Sequence, residues 1–265
     1  MKKQQGKKKL FLDFDGVLCD SADETARCAW LAGSIIWKDW RGSDIPKANL
    51  EKFRRLRPLI ETGYQSIALM KLISENYTEA FIKEKFHFMI EQVFTSVSLN
   101  KNALINLFDK IRSDWMNVNF TTWLAWHKMY PFSDNIIKIG RNYYKEVYII
   151  STKHKKYIEK LLEFFGIDFN TDNIYGLEAG RSKVEIIETI LKETKTAPKN
   201  SIFIEDYKYT LFAFAENDFL KDMSLYLASW GYLFPETIEE IQATKLDLKI
   251  LHSSLAEDVL KKESM

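Results

Sequence analysis

The chain of 265 residues is short of three things, and each shortage narrows what it can be. It holds two cysteines, Cys19 and Cys28. That is too few for a disulfide-stapled scaffold, and two thiols in a chain of this length imply a reducing compartment with no bridge between them. No segment approaches the roughly 18 apolar residues of a membrane span, because charges interrupt every hydrophobic run. Net charge is nearly absent as well: 38 Lys plus Arg against 37 Asp plus Glu leave +1, so no global field calls for nucleic acid, a membrane surface or an acidic partner. Internal repeats are also missing. What the chain does have is 46% hydrophobic content, enough for one large or two modest cores.

The one charge asymmetry lies at the start, where Lys2, Lys3, Lys7, Lys8 and Lys9 cluster. Residues 1–9 are expected to be a solvated, disordered basic tail. It is no secretory signal, since the apolar run behind it is short and already contains Asp13 and Asp15. A nucleic-acid role would rest on these lysines alone, with no aromatic residues interleaved. The expectation is a soluble, cytoplasmic protein that holds its ligand locally.

Leu10 to Phe14 reads as a strand buried on both faces, and similar β-rich runs recur at Val147 to Ile150, Ile202 to Ile204, Leu225 to Leu227 and Leu248 to Leu251. Amphipathic patterns separate the later runs. Tyr157, Leu161, Leu162 and Phe165 share one helix face, as do Val184, Ile187, Ile190 and Leu191 behind Ser182, a plausible N-cap. Alternating strands and helices predict an α/β core, a three-layer Rossmann-like parallel sheet. Residues 21–130 break the alternation with helical periodicity and no convincing strand. Leu69, Leu72 and Ile73, then Phe81, Phe88 and Met89, then Leu104, Leu107, Phe108 and Ile111 each suit a buried helix face. Such a length cannot be one crossover, so the reading is an inserted all-helical domain at 21–130, with the core at 10–20 and 131–265. The aromatic cluster of Trp115, Trp123 and Trp126 is most simply the insert's own core.

The most informative residues are Asp13 and Asp15, at the carboxyl end of a buried strand. Two carboxylates so close together in apolar surroundings are expensive unless something neutralises them. In an open α/β sheet the carboxyl ends of the strands are where ligands bind, so a cation drawing both groups together is the economical explanation. A turn use of Asp-Gly accounts for Asp15 but not for Asp13. Gly16 lets the chain turn just beyond them.

Three further polar features close or open later elements: Ser151 and Thr152 after Val147 to Ile150, Lys183 after the Gly180-Arg181-Ser182 turn, and Glu205-Asp206 after Ile202 to Ile204. Singly each has a plain alternative, as a cap, a solvated helix residue or an acidic pair at a helix start. Together they assemble nucleophile, acid, hydroxyl, amine and metal ligand at one sheet edge, a set that suits phosphoryl transfer. Attack by a carboxylate on a phosphate dianion requires charge neutralisation, here by Mg²⁺ and an ammonium. Asp13, Asp206 and a backbone carbonyl near Asp15 suit the oxygen-rich, partly hydrated coordination of Mg²⁺.

The run Asp13-Phe14-Asp15-Gly16-Val17-Leu18-Cys19-Asp20-Ser21 resembles the first motif of the haloacid dehalogenase-like hydrolases, with Ser151, Lys183 and Glu205-Asp206 in the places of the second, third and fourth. A helical insertion between the first two motifs is similar to the subclass with a cap domain, of which phosphoglycolate phosphatase-like proteins are members. Arg57-Pro58, Glu61 to Tyr64, Tyr148 to Lys153, Phe203 to Asp206 and Trp230-Gly231-Tyr232 look like an uncharacterised group of that type from cyanobacteria and plants. Two positions depart from the family pattern. Thr210 stands where a further acidic residue is common, which shifts weight in metal binding to Glu205, and Thr152 stands where asparagine is common.

The resemblance implies that Asp13 attacks phosphorus while Asp15 protonates the leaving alcohol and then serves as base for water. Ser151, or Thr152, and Lys183 would hold phosphoryl oxygens, and Asp13, Asp15, Asp206 and Glu205 would make up the metal site. Asp15 also argues for phosphate over carbon–halogen chemistry, since dehalogenating members lack an aspartate two residues after the nucleophile. The expected partner is a small phosphorylated metabolite. A phosphomutase is an alternative on the same scaffold, as is a phosphonatase with an imine-forming Lys38 or Lys47; so is a binding protein on a retired hydrolase fold. Within the insert, Arg57 is the candidate for a substrate carboxylate or phosphate, against the plainer reading in which Arg54, Arg55 and Arg57 form a solvated face. His127 reads as a packed or exposed residue, or one lining the cleft. Lys153 reads equally as a surface residue at a helix start or as a source of positive potential.

Overall fold

The computed structural model describes residues 8–264. They divide into two compact units, one formed by Ser21–Lys128 and the other by the remainder. The remainder is built on a six-stranded parallel sheet of β1 (Lys9–Leu12), β4 (Glu146–Ile150), β5 (Ile174–Tyr175), β6 (Ser201–Glu205), β7 (Ser224–Ala228) and β8 (Leu248–Leu251), in the order β5-β4-β1-β6-β7-β8. Two short strands, β2 (Cys19–Asp20) and β3 (Lys128–Met129), pair with each other. β1 is central: Leu10 lies opposite Val147 and Ile202, and Phe11 opposite Tyr148 and Phe203. Its apolar run is needed because both faces are covered. α7 (Ser133–Tyr143) packs on β4, and α12 (Ala256–Glu263) packs on α7. The other face carries Phe11, Tyr148, Ile150, Phe203 and Leu225 against Ile187 and Leu191 of α9 (Lys183–Glu193), Leu211 and Phe214 of α10 (Lys208–Ala215) and Ile241 of α11 (Thr237–Ala243). α8 (Lys155–Phe164) connects β4 to β5. This is the three-layer α/β architecture expected from the alternation of runs.

The chain leaves β1 for β4 on one side and reaches β6 on the other, so the order reverses at β1. Such a reversal opens a crevice beyond the carboxyl ends of the strands.

Residues 21–128 are helical: α1 (Ala22–Ile36), α2 (Lys47–Leu56), α3 (Gln65–Ser74), α4 (Glu79–Ser96), α5 (Lys101–Val118) and α6 (Phe120–Leu124). Polar residues set their starts. Thr78, Asn100 and Asn119 each accept the backbone N–H three residues on, at the heads of α4, α5 and α6. The interior holds a buried ion pair in which Glu24 accepts from Arg112 Nε at 2.6 Å and Nη2 at 2.8 Å. Trp123 Nε1 adds a third hydrogen bond at 3.1 Å. No helix among the described residues is long and apolar enough to cross a membrane.

Several expectations need correction. Lys9 does not belong to a basic tail: it opens β1, fully buried, with its ammonium on the Glu146 carboxylate and near the Tyr148 ring. Lys8 pairs with Glu263 at 3.1 Å, while residues 1–7 lie outside the described residues. β1 ends at Leu12, not Phe14. In α4 the buried stripe is Ile82, Phe86, Ile90, Val93 and Phe94, leaving Phe81 and Phe88 exposed. Two apolar stripes were available on that helix, and the broader one packs inward against its neighbours. Phe165 is exposed too. Of the three tryptophans only Trp123 is buried; Trp115 and Trp126 flank the Arg27 guanidinium at 5.3 and 5.1 Å. Cys19 and Cys28 are both buried and free.

Candidate active site

The carboxyl ends of β1, β4 and β6 carry the polar residues the sequence singles out. Asp13 follows β1 directly and continues its pairing with β6, its N–H donating to Ile204 O at 3.0 Å. The chain then turns sharply. Gly16 has φ +90°, and a Cβ there would lie 2.0 Å from Asp206 Oδ2, so both backbone angle and space require glycine. Bonds from Gly16 N to Cys19 O and from Leu18 N and Cys19 N to Phe14 O close this turn, which carries Asp15.

β6 delivers Glu205 and Asp206, both buried. Asp13, Glu205 and Asp206 each offer a carboxylate oxygen, and these atoms lie within 4.8 Å of one another. Lys183 supplies the charge between them, its Nζ 2.8 Å from Asp13 Oδ1 and 2.6 Å from Glu205 Oε2. It occupies the first position of α9, where the helix dipole disfavours a cation. A capping box of Ser182 and Glu185 fixes that helix start, so Lys183 is held against its local preference by the carboxylates in front of it. Burial, and then neighbouring Glu205, push the Asp13 carboxyl up to about 7 against the pull of Lys183. Burial works against the Lys183 ammonium as well, but Asp13 and Glu205 outweigh it and hold it above the usual lysine range.

Glu205 and Asp206 are differently engaged. Glu205 Oε1 accepts the N–H groups of Asp206 and Tyr207, each at 3.1 Å, and Oε2 accepts from Lys183. Asp206 accepts the Tyr232 N–H on Oδ2 at 2.7 Å.

Ser151 ends β4, buried, its N–H on Tyr175 O at 2.9 Å and its Oγ accepting the Lys153 N–H at 3.1 Å. Thr152 beside it is half-buried. Lys153, read from the sequence equally as a surface residue, is in fact 2% exposed, with Nζ 3.3 Å from Asp15 Oδ2. The sequence signal was faint: a lysine two residues past a buried strand that ends in serine. Four carboxylates, Asp13, Asp15, Glu205 and Asp206, thus face two ammoniums, Lys153 and Lys183.

The remaining candidates lie in the helical unit. Arg57 is buried, so the solvated-face reading fails for it; its Nη1 donates to Ile60 O at 2.7 Å. Arg54 and Arg55 are the outward members, paired with Asp23 and Glu79. His127 is packed, Nδ1 3.0 Å from Trp123 O and Nε2 3.9 Å from Glu24 Oε2.

Solved structures of similar fold cover nearly the whole chain. A Haemophilus somnus protein titled a predicted phosphoglycolate phosphatase matches with TM-score 0.62 at 12% identity, over 98% of this chain and 99% of its own. A Bacteroides fragilis protein described as a haloacid dehalogenase-like hydrolase matches with TM-score 0.61 at 17% identity, over 96% and 99%. A predicted phosphatase from Clostridium acetobutylicum matches with TM-score 0.61 at 14% identity, over 97% and 100%. A search of curated proteins finds no match. At these identities the likeness establishes the fold. The sequence model of the haloacid dehalogenase-like hydrolases, however, matches residues 57–213, more than half of the chain and inclusive of Ser151, Lys183, Glu205 and Asp206. With that match and this fold, the chain belongs to the haloacid dehalogenase-like hydrolase family.

Proposed function

We propose that the protein is a Mg²⁺-dependent phosphatase that hydrolyses a small phosphate monoester through an aspartyl-phosphate on Asp13. The observation that carries this reading is the convergence of Asp13, Glu205 and Asp206 around Lys183. Three buried carboxylates with oxygen atoms within 4.8 Å are the oxygen-only donor set that Mg²⁺ takes. A divalent cation bound among these carboxylates would add its charge to that of Lys153 and Lys183. Asp13 and Asp206, with a backbone carbonyl near Asp15, would hold it. Glu205 already accepts three hydrogen bonds, two on Oε1 and one on Oε2, and would join through the second acceptor position of Oε2. When bound, the ion neutralises charge on the phosphoryl oxygens and on the carboxylates around them.

The chain's own residues divide the remaining work. Asp13 attacks phosphorus from the end of β1, expelling the alkoxide, to which Asp15 gives a proton. Water then attacks the aspartyl-phosphate, Asp15 takes its proton, and phosphate leaves with Asp13 restored. Lys183 and the Ser151 hydroxyl are the groups for the phosphoryl oxygens, with Thr152 as the alternative hydroxyl. Lys153, against Asp15, stabilises the ionised form that the second step uses. The helical unit at 21–128 would act as a cap that excludes water and selects substrate, Arg57 being its candidate contact for an anionic group. No observation favours the phosphonatase: neither Lys38 nor Lys47 is buried, and Lys47 pairs with Glu51 at 3.8 Å. Two of the proteins of similar fold are described as a predicted phosphatase and a predicted phosphoglycolate phosphatase, which agrees with a small phosphorylated metabolite as substrate.

The test is a screen of phosphate monoesters with Mg²⁺ and with EDTA, run beside Asp13→Asn. Hydrolysis that needs Mg²⁺ and vanishes in the variant is expected. Hydrolysis that survives Asp13→Asn would refute the assignment of the nucleophile.

A further inference from the structure

The loop behind β7 reaches two parts of the site at once. Tyr232 donates its backbone N–H to Asp206 Oδ2 at 2.7 Å, while its hydroxyl donates to Asp20 Oδ1 at 3.1 Å. Trp230 donates its indole N–H to Val17 O at 3.0 Å, with its ring edge-on to Phe132 at 4.8 Å. Gly231 lies between them. A Cβ there would stand 2.3 Å from Asp206 Cβ and 2.8 Å from Gly16 O, so the loop backbone presses against both the carboxylate and the turn. Val17 and Asp20 belong to the Gly16–Asp20 turn that follows Asp15, and Asp15 itself bridges to Cys19 within it.

We infer that Trp230-Gly231-Tyr232 is a positioning loop: it fixes the turn that carries Asp15 relative to the carboxylate of Asp206, and none of its side chains takes part in bond making. This rests on the roles proposed above for Asp15 and Asp206. Tyr232 uses both its backbone and its side chain, one on each part. Simple packing would need neither the hydroxyl nor the indole N–H, yet both are directed at polar atoms of the turn. The turn has other anchors, since Leu18 O accepts from Tyr130 N at 3.0 Å and Ser133 Oγ at 2.6 Å. Loss of one loop contact should therefore shift Asp15 without unfolding the turn, and small misplacements of a catalytic group are felt strongly.

The experiment uses the full chain with Tyr232→Phe, Trp230→Phe and Gly231→Ala, and two substrates that differ in leaving group, p-nitrophenyl phosphate and an alkyl phosphate. The aryl oxide leaves with little help, whereas the alkoxide needs a proton. Tyr232→Phe and Trp230→Phe are expected to lower kcat/KM, which covers only the steps up to departure of the alcohol and not the later hydrolysis common to both esters, ~10-fold or more for the alkyl ester and less than ~3-fold for the aryl ester, as befits a displaced general acid. Equal losses on both esters, or none, would overturn the loop's link to Asp15. Mg²⁺ affinity is read separately, from the rise in thermal midpoint as Mg²⁺ alone is titrated. Tyr232→Phe keeps the N–H to Asp206 and should leave that curve in place; Gly231→Ala should move it to higher Mg²⁺. An unmoved curve for Gly231→Ala overturns the link to Asp206. Should Gly231→Ala not fold, the leaving-group comparison on the other two variants still decides. Asp13→Asn, run alongside, separates the two failures: if it is inactive while Tyr232→Phe is indifferent to leaving group, only the loop's role falls, whereas activity in Asp13→Asn removes the catalytic reading beneath it.

Discussion

Lys183 Nζ lies 2.8 Å from Asp13 Oδ1, at the first position of a helix whose dipole opposes it. The contact gives the buried Asp13 a counter-charge and, through the same nitrogen, ties Glu205 into place. Lys183→Met is expected to lower kcat/KM ~10²-fold or more, the usual loss for one fixed donor to developing charge. It should also lower the thermal midpoint in EDTA, because it leaves buried carboxylates uncompensated, and Mg²⁺ should restore part of that fall. Thermal scans with and without Mg²⁺, beside steady-state kinetics, check both outcomes.

Lys153 gives a second prediction. With its ammonium 3.3 Å from Asp15 and almost no exposure, Lys153→Met should reduce turnover on monoesters ~10- to 100-fold, less than the ~10²- to 10⁴-fold that general acid–base catalysis contributes, because Lys153 acts only through Asp15. Lys153→Arg should recover part of it. Full turnover in the methionine variant would show Lys153 to be a structural lysine only.

The Glu24–Arg112 pair in the helical unit predicts a stability effect. Arg112→Met strands a fully buried carboxylate, and breaking such a pair is worth about 3–5 kcal/mol. Replacing both residues, Glu24→Leu with Arg112→Met, should recover only part of the loss: no charge is then left without its partner, but the buried Trp123 indole N–H loses its acceptor. Urea denaturation of the three proteins measures the difference.

Glu263 near the end of α12 predicts how stability depends on acid. Partial burial raises its carboxyl, but hydrogen bonds from Tyr226, Lys8 and Lys249 outweigh that and hold the group down at about 2. Because the folded state holds it below the ordinary unfolded value of ~4.3, its stabilisation is complete above that value and is lost as pH falls towards 2. Glu263→Gln should be less stable at neutral pH and flatter across that window, as acid-unfolding curves would report.

The parallel sheet was legible because buried parallel strands must be apolar throughout, which Leu10 to Leu12 and Ile202 to Ile204 are. Asp13, Asp15, Glu205 and Asp206 stood out for the converse reason, as carboxylates ending runs of that kind. What stayed hidden was decided by tertiary contact. β5 has two residues, too few for any periodicity. Lys9 looks like one more tail lysine until Glu146 and Tyr148 are placed beside it. Lys153 has the composition of a helix start, and only the fold of the Asp15 turn brings a carboxylate to it. The same holds for Trp230 and Tyr232, whose donors meet atoms some 210 residues earlier in the chain.

The account stands or falls on where the phosphoryl group goes. Acid quench of the enzyme during turnover of a monoester with Mg²⁺, followed by peptide mapping, should find one phosphoryl group on the peptide that contains Asp13 and on no other. A phosphoryl group on a different residue, or steady release of phosphate by Asp13→Asn, would contradict it.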